Sequence, residues 1–229
     1  MGQCTTHTDG GNTMDVIVDG LVIGQEQDVV GGDFDINQVW VGLIDELVLF
    51  DNVLSPGEVL FIYNNQTAGR SWNGAERVCP EALPPTAAYW RMDEASWDGS
   101  PGEVIDLSGN GLNMTSYGGA STNNIDPAIV GDPGTCGFGE FDGSTTYLEI
   151  DHDPLLSFST NMSITLWVKP NALPLSGLHS VLSKDENYEF HLTPTNEIFW
   201  WWNQGALTTS GANIQPGNWY HIGLTFRSG

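Results

Sequence analysis

Carboxylates, tryptophans and cysteines are the residues of this chain whose grouping points to chemistry. The run Glu149-Ile150-Asp151-His152-Asp153 puts Glu149, Asp151 and Asp153 on one face of a strand, and a pair of carboxylates is what glycoside hydrolysis uses as acid and base or nucleophile. Asp153 precedes Pro154, where a strand ends. Oxygen-rich segments that suit a hard cation are Asp106 with Asn110, Asp45 with Glu46, and Asp33-Phe34-Asp35-Ile36-Asn37. The last opens like a helix-loop-helix calcium loop, but Gln38 stands where its sixth-position glycine belongs and Ile44 where its twelfth-position glutamate belongs. The segment is therefore not that motif. Trp200 and Trp202 share one face of a strand and Trp201 the other, and with Asn203, Gln204 and His191 nearby they could hold a sugar by ring stacking and hydrogen bonds. The competing reading buries the same tryptophans in a core.

Cys4, Cys79 and Cys136 show neither a CxxC pair nor metal-ligand spacing, so a disulfide is their expected use. A Cys79–Cys136 bridge would tie a proline-rich stretch to a glycine-rich turn and leave Cys4 over. The five histidines are scattered without metal-site spacing, and His221 beside Trp219 reads as packing. Asn65-Gln66-Thr67, Asn113-Met114-Thr115 and Asn161-Met162-Ser163 match the glycosylation sequon. There is no GxSxG elbow and no glycine-rich nucleotide loop.

The formal net charge is -23 over 229 residues, with six lysines and arginines in all. Such a chain cannot neutralise a row of phosphates and is repelled by anionic membranes, which excludes nucleic acid as a partner. No run approaches the roughly 20 apolar residues of a membrane span, so no membrane insertion is expected. The N-terminus lacks a basic and apolar leader, so any export signal is expected elsewhere.

The elements that must position these residues are mostly strands. Period-2 alternation marks Met14–Val18, whose Asp19-Gly20 pair signals a hairpin into Leu21–Gln27, and then Val39–Phe50. Ser55-Pro56-Gly57-Glu58 is a helix start: Ser55 caps, Pro56 fits the first turn and Glu58 closes a capping box. The helix should end by Ala68-Gly69. Residues 70–86 lack apolar alternation and read as a linker. Further strands are expected at Ala87–Asp93, Phe138–Asp142, Tyr147–Asp151, Ser163–Lys169, His179–Lys184, Tyr188–Thr193, Glu197–Trp202 and Trp219–Phe226. Together they predict an all-β, two-sheet antiparallel jelly-roll sandwich with one short helix.

Several motifs carry a family resemblance. Tyr89-Trp90-Arg91-Met92-Asp93-Glu94, Asp106-Leu107-Ser108-Gly109-Asn110-Gly111, Phe141-Asp142-Gly143, Ile164 to Pro170 and Trp219-Tyr220-His221 resemble the first half of a laminin-G-like jelly roll of the concanavalin A-like lectin/glucanase superfamily. Val18-Asp19-Gly20, Gly42 to Glu46 and the Asn52 to Tyr63 segment resemble its second half. The order is rotated. Residues 1–69 then form the C-terminal half of such a domain, 70–86 a linker and 87–229 an N-terminal part, either cut across two tandem repeats or closed into one permuted sandwich. Closure predicts that Met14–Asp19 pairs with Trp219–Phe226. The resemblance implies calcium near the Asp106 loop, where the plain alternative is a turn built on glycines and Asn110.

The segments around Asp93–Gly99 and Gly69–Pro80 also resemble tandem domains of bacterial pilus-biogenesis proteins, which implies a secreted or bacterial-surface location. The functional expectation is a non-catalytic recognition or adhesion module that binds a glycan or cell-surface ligand, with calcium as cofactor and neighbouring repeats as partners. Two alternatives stand beside it: a structural spacer in a tandem array, and a glycoside hydrolase using Glu149 and Asp153.

Overall fold

A computed structural model describes residues 20–29, 32–34, 37–76, 87–131, 134–185, 187–202 and 205–227. The expected strand Met14–Val18, and with it the expected pairing to Trp219–Phe226, lies outside them. Through the N-terminal segment run β1 (Leu21–Ile23), β2 (Gln27–Val29), β3 (Gly32–Phe34), β4 (Val41–Phe50) and the helix α1 (Pro56–Thr67). After it come β5 (Ala88–Trp90), β6 (Thr115–Tyr117), β7 (Ser121–Asn123), β8 (Phe138–Asp142), β9 (Tyr147–Ile150), a 3-10 turn (Pro154–Leu156) and β10 (Asn161–Pro170). The last are β11 (His179–Lys184), β12 (Tyr188–Leu192), β13 (Ile198–Trp202), β14 (Gly205–Thr208) and β15 (Tyr220–Arg227).

Two antiparallel sheets stack as a jelly-roll sandwich. One runs β14-β13-β12-β11-β1-β9-β6, the other β15-β10-β4-β8-β7 with β5 also on β4. β1 thus lies between β9 and β11, and β4 between β10 and β8, so strands from before and after residues 70–86 share both sheets. Leu21, Ile23, Leu148, Leu182, Tyr188, Phe190, Trp200 and Trp202 project from the first sheet into a core closed by Ile44, Leu49, Ile164, Leu166 and Val168 of the second.

β10 departs from simple alternation. Ile164, Leu166 and Val168 face the core as their spacing demands, yet Thr165 and Trp167 on the opposite face are also buried. The reason is α1, which lies over that face: Trp167 Nε1 donates to Gln66 Oε1 at 3.1 Å. The helix begins where the capping box places it, with Ser55 Oγ accepting from Glu58 N and Glu58 Oε2 accepting from Ser55 N at 2.7 Å. Its buried residues are Ile62 and Gln66, while Leu60 and Phe61 face out and the partly exposed Tyr63 lies against Trp167. Residues 70–76 of the expected linker form a closed turn, bridged at Arg70 and Glu76, with Trp72 edge-on to Phe50 at 5.3 Å.

His221 on β15 pairs with Trp167, its ring 5.1 Å from that indole and 5.8 Å from Tyr63. Burial pushes its pKa down to about 4, with the charge of Glu46 acting in the opposite direction. An unfolded histidine takes up a proton near its ordinary 6.5, whereas the folded one stays neutral until about 4. The unfolded state therefore binds more protons across that window, so stability falls as pH drops through it and levels off below. Denaturant titrations of wild type and His221→Phe between pH 7 and pH 4 should show a shallower acid loss for the variant. Separately, Ser55→Ala should lower stability by about 1 kcal/mol, read as a lower melting temperature.

Candidate metal centre

The oxygen donors that come together are not those singled out by local spacing. Among the described residues, the group of three carboxylates close enough to share an ion is Glu26, Asp185 and Glu189, whose ligand oxygens lie within 4.8 Å of one another. All three are buried. Two oxygens bound to one calcium at 2.3–2.6 Å can be at most about 5 Å apart, so this spacing suits such an ion. Three carboxylates also match the preference of a hard cation for oxygen.

Each ligand is placed by a different piece of backbone. Glu26 follows β1 across Gly24, whose φ is +93° and whose missing Cβ would lie 2.5 Å from the Phe141 ring. Any other residue there would meet both strain and that ring. Asp185 leaves β11 in the turn closed by Asn187 N donating to Lys184 O at 2.9 Å. Glu189 stands on β12, in register with Ser183 on one side and Trp201 on the other. Its neighbours Tyr188 and Phe190 point into the core, so strand alternation turns Glu189 to the outer face. Trp201 is half-buried there.

The predicted metal residues sit elsewhere and are engaged otherwise. Asp106 Oδ1 accepts from Tyr89 N at 3.0 Å and Ser108 N at 2.8 Å, and Oδ2 from Ser108 Oγ at 2.7 Å and Leu112 N at 3.0 Å. Four donors fill the carboxylate, which ties the loop to β5 and leaves little lone-pair capacity for an ion. Asn110 donates from Nδ2 to Ala87 O at 3.0 Å. These bonds make the loop an internal clasp.

Asp45 is fully buried on β4 opposite Trp167. Glu46 is the extra residue of a bulge against β10, with φ +54°, and its Oε2 accepts from Tyr89 OH at 2.5 Å and Gln66 Nε2 at 3.3 Å. Its Oε1 lies 3.7 Å from Arg91 Nε. Glu46 neutralises a buried guanidinium and braces the helix rather than facing a ligand.

The residues of the expected sugar platform are mostly buried. Trp200 is 5% and Trp202 3% exposed, the first stacked on Tyr188 and the second against Phe226. Trp201 is the indole of the three that faces away from the core. His191 is fully buried, its Nε2 3.0 Å from Glu189 Oε2, so it does not reach a bulk ligand. Asn203 and Gln204 lie outside the described residues. Glu149 and Asp153 line a groove of about 310 Å³ with Tyr117, Asn113 and Asp151. Asp153 Oδ1 accepts from Leu155 N at 2.8 Å and so caps the 3-10 turn. Cys136 is disulfide-bonded; Cys4 and Cys79 lie outside the described residues. No helix among the described residues is long and apolar enough to cross a membrane.

Family models match both segments that interleave in this sandwich. Residues 142–229 match the concanavalin A-like lectin/glucanases superfamily model, and residues 5–74 match the pentaxin family model. Glu26 falls in the second segment, Asp185 and Glu189 in the first. The chain is similar to bovine serum amyloid P-component, 48% identical over 48 residues, which is 21% of either chain. It is similar to human pentraxin-4 at 38% identity over 78 residues, 28% of this chain and 16% of that one. Guinea-pig C-reactive protein is 45% identical over 47 residues, 20% of this chain and 21% of its own. The alignments thus span about a fifth of these relatives. No solved structure matches the chain.

Sequence reasoning missed the centre because its ligands are split between Gln25-Glu26 and Asp185–Glu189, at opposite ends of the chain. The signal available was acidic residues flanking strand ends, without a local repeat to join them. If Asp106 is a clasp, Asp106→Ala should lower the melting temperature by the same amount in EDTA and in calcium, measured by scanning calorimetry.

Proposed function

We propose that this chain is a non-catalytic extracellular recognition domain, calcium-stabilised, which binds a glycan or another oxygen-rich cell-surface ligand on the outer face of its seven-stranded sheet. The observation that carries this reading is the buried cluster of Glu26, Asp185 and Glu189. Calcium takes six to eight oxygens, so three side chains leave positions to water or to hydroxyl or acidic oxygens of a ligand. Trp201, next to Glu189 across the β12–β13 pair, supplies an apolar wall of the kind on which a sugar ring stacks. When bound, the ion supplies charge neutralisation and a ligand-binding position; the residues supply its cage and the flanking surface.

The proposal includes one permuted sandwich made by residues 1–69 and 87–229 rather than two half-domains. Pairing of β1 with β9 and β11 supports it. It also includes a Cys79–Cys136 disulfide, for which non-reducing peptide mapping should yield that linked pair; a Cys4–Cys136 peptide would replace it. Attachment to a pilus is no part of this reading, and the relatives named above are mammalian pentraxins.

The test is thermal unfolding of EDTA-treated protein with calcium, and with magnesium as the control for general screening of the negative charge. Calcium at 100 times Kd should stabilise by about 2.7 kcal/mol, with Asp185→Asn abolishing most of the gain. An equal rise with magnesium, or none, would remove the centre. Glycan-array binding in calcium, lost in EDTA, should follow; reproducible silence on the array and on cell surfaces would leave a spacer instead.

A further inference from the structure

His191 is a costly residue for its position. It is fully buried on β12, its ring 5.8 Å from that of Phe199. Its Nδ1 has no hydrogen-bond partner, so the fold bears the desolvation of a ring nitrogen that an apolar side chain would avoid. What an apolar residue could not supply is the contact at the other nitrogen. Nε2 lies 3.0 Å from Glu189 Oε2, and with an ionised, acceptor-only carboxylate that bond needs the hydrogen on Nε2. Ser183 Oγ donates to the second oxygen, Oε1, at 3.3 Å. Each oxygen of Glu189 is thus held by one protein donor from β11 or β12, and its remaining lone pairs stay available to an ion.

We infer that His191 is a positioning residue for the cation centre: its Nε2–H orients the Glu189 carboxylate toward the space shared with Glu26 and Asp185. A glutamate side chain has three rotatable bonds, and freezing it on ion binding costs conformational entropy. A donor that holds the carboxylate beforehand removes part of that cost from the binding step. Such outer partners typically change metal affinity 10–100-fold when removed. The inference rests on the reading of Glu189 as a calcium ligand.

The experiment is calorimetric titration of calcium chloride into EDTA-treated protein at one fixed pH, for wild type, His191→Phe and His191→Gln. Phenylalanine keeps the ring volume and the packing on Phe199 but has no donor. Glutamine places an amide nitrogen near the position of Nε2. Expected are a 10–100-fold weaker Kd for H191F, recovery to within a few-fold of wild type for H191Q, and equal melting temperatures in EDTA for the two variants. If wild type binds no calcium, the centre itself fails. If wild type binds and H191F binds equally well, the centre stands and the role of His191 is overturned. Weak binding by both variants would assign the effect to ring packing and would overturn it too. Should H191F not fold, His191→Asn, whose amide is too short to reach Glu189, is expected to show the same loss, and unchanged affinity there would refute the inference.

Discussion

The structure depends on two strands that must be paired on both edges. β1 and β4 come from the N-terminal segment, yet each occupies an interior position, one per sheet. An interior strand has N–H and C=O groups pointing to both sides, and in a buried setting each must find a partner. β4 is bonded to β10 along nearly its whole length and to β8 and β5 on its other edge. Removing it would leave two sheet fragments with exposed edges and an open core. Cohesion therefore comes from long-range pairing between the chain's two segments, not from either alone.

The same interleaving decides where charge can be buried. Under α1, the carboxylate of Glu46 meets Tyr89, Gln66 and Arg91, and Arg91 NH2 reaches Asp93 at 2.6 Å. Donors from α1 and β5 surround an acceptor on β4, so the burial cost of these charges is offset within the protein. On the outer face of the other sheet the arrangement differs, since three carboxylates approach one another within 4.8 Å. Oxygens gathered this closely match the spacing of ligands around one divalent cation. One buried acidic site thus braces the architecture, and the other is the candidate cation centre.

Local rules were reliable where a few adjacent residues determine the outcome. The capping box at Ser55 and Glu58 starts α1 where expected, and β8 and β11 match their alternation end to end. β6, β7 and β14 were not legible, being three or four residues long in glycine-rich or irregular sequence. Their pairing comes from neighbours already in place rather than from their own pattern. The tryptophan run shows the limit of periodicity: alternation says that Trp200 and Trp202 share a face, but not whether that face is core or surface.

What the sequence determined by itself is therefore the sandwich class and the helix with its cap, since each follows from strand patterning or from contacts a few residues apart. Tertiary structure alone decided which carboxylates meet. Asp106 and Glu46 have suitable chemistry but are consumed by donors from β5 and α1, whereas Glu26 gains importance only because β1 threads between β9 and β11 and brings it to Asp185 and Glu189. Convergence of carboxylates from distant parts of the chain is a property of strand order, and no local spacing encodes it.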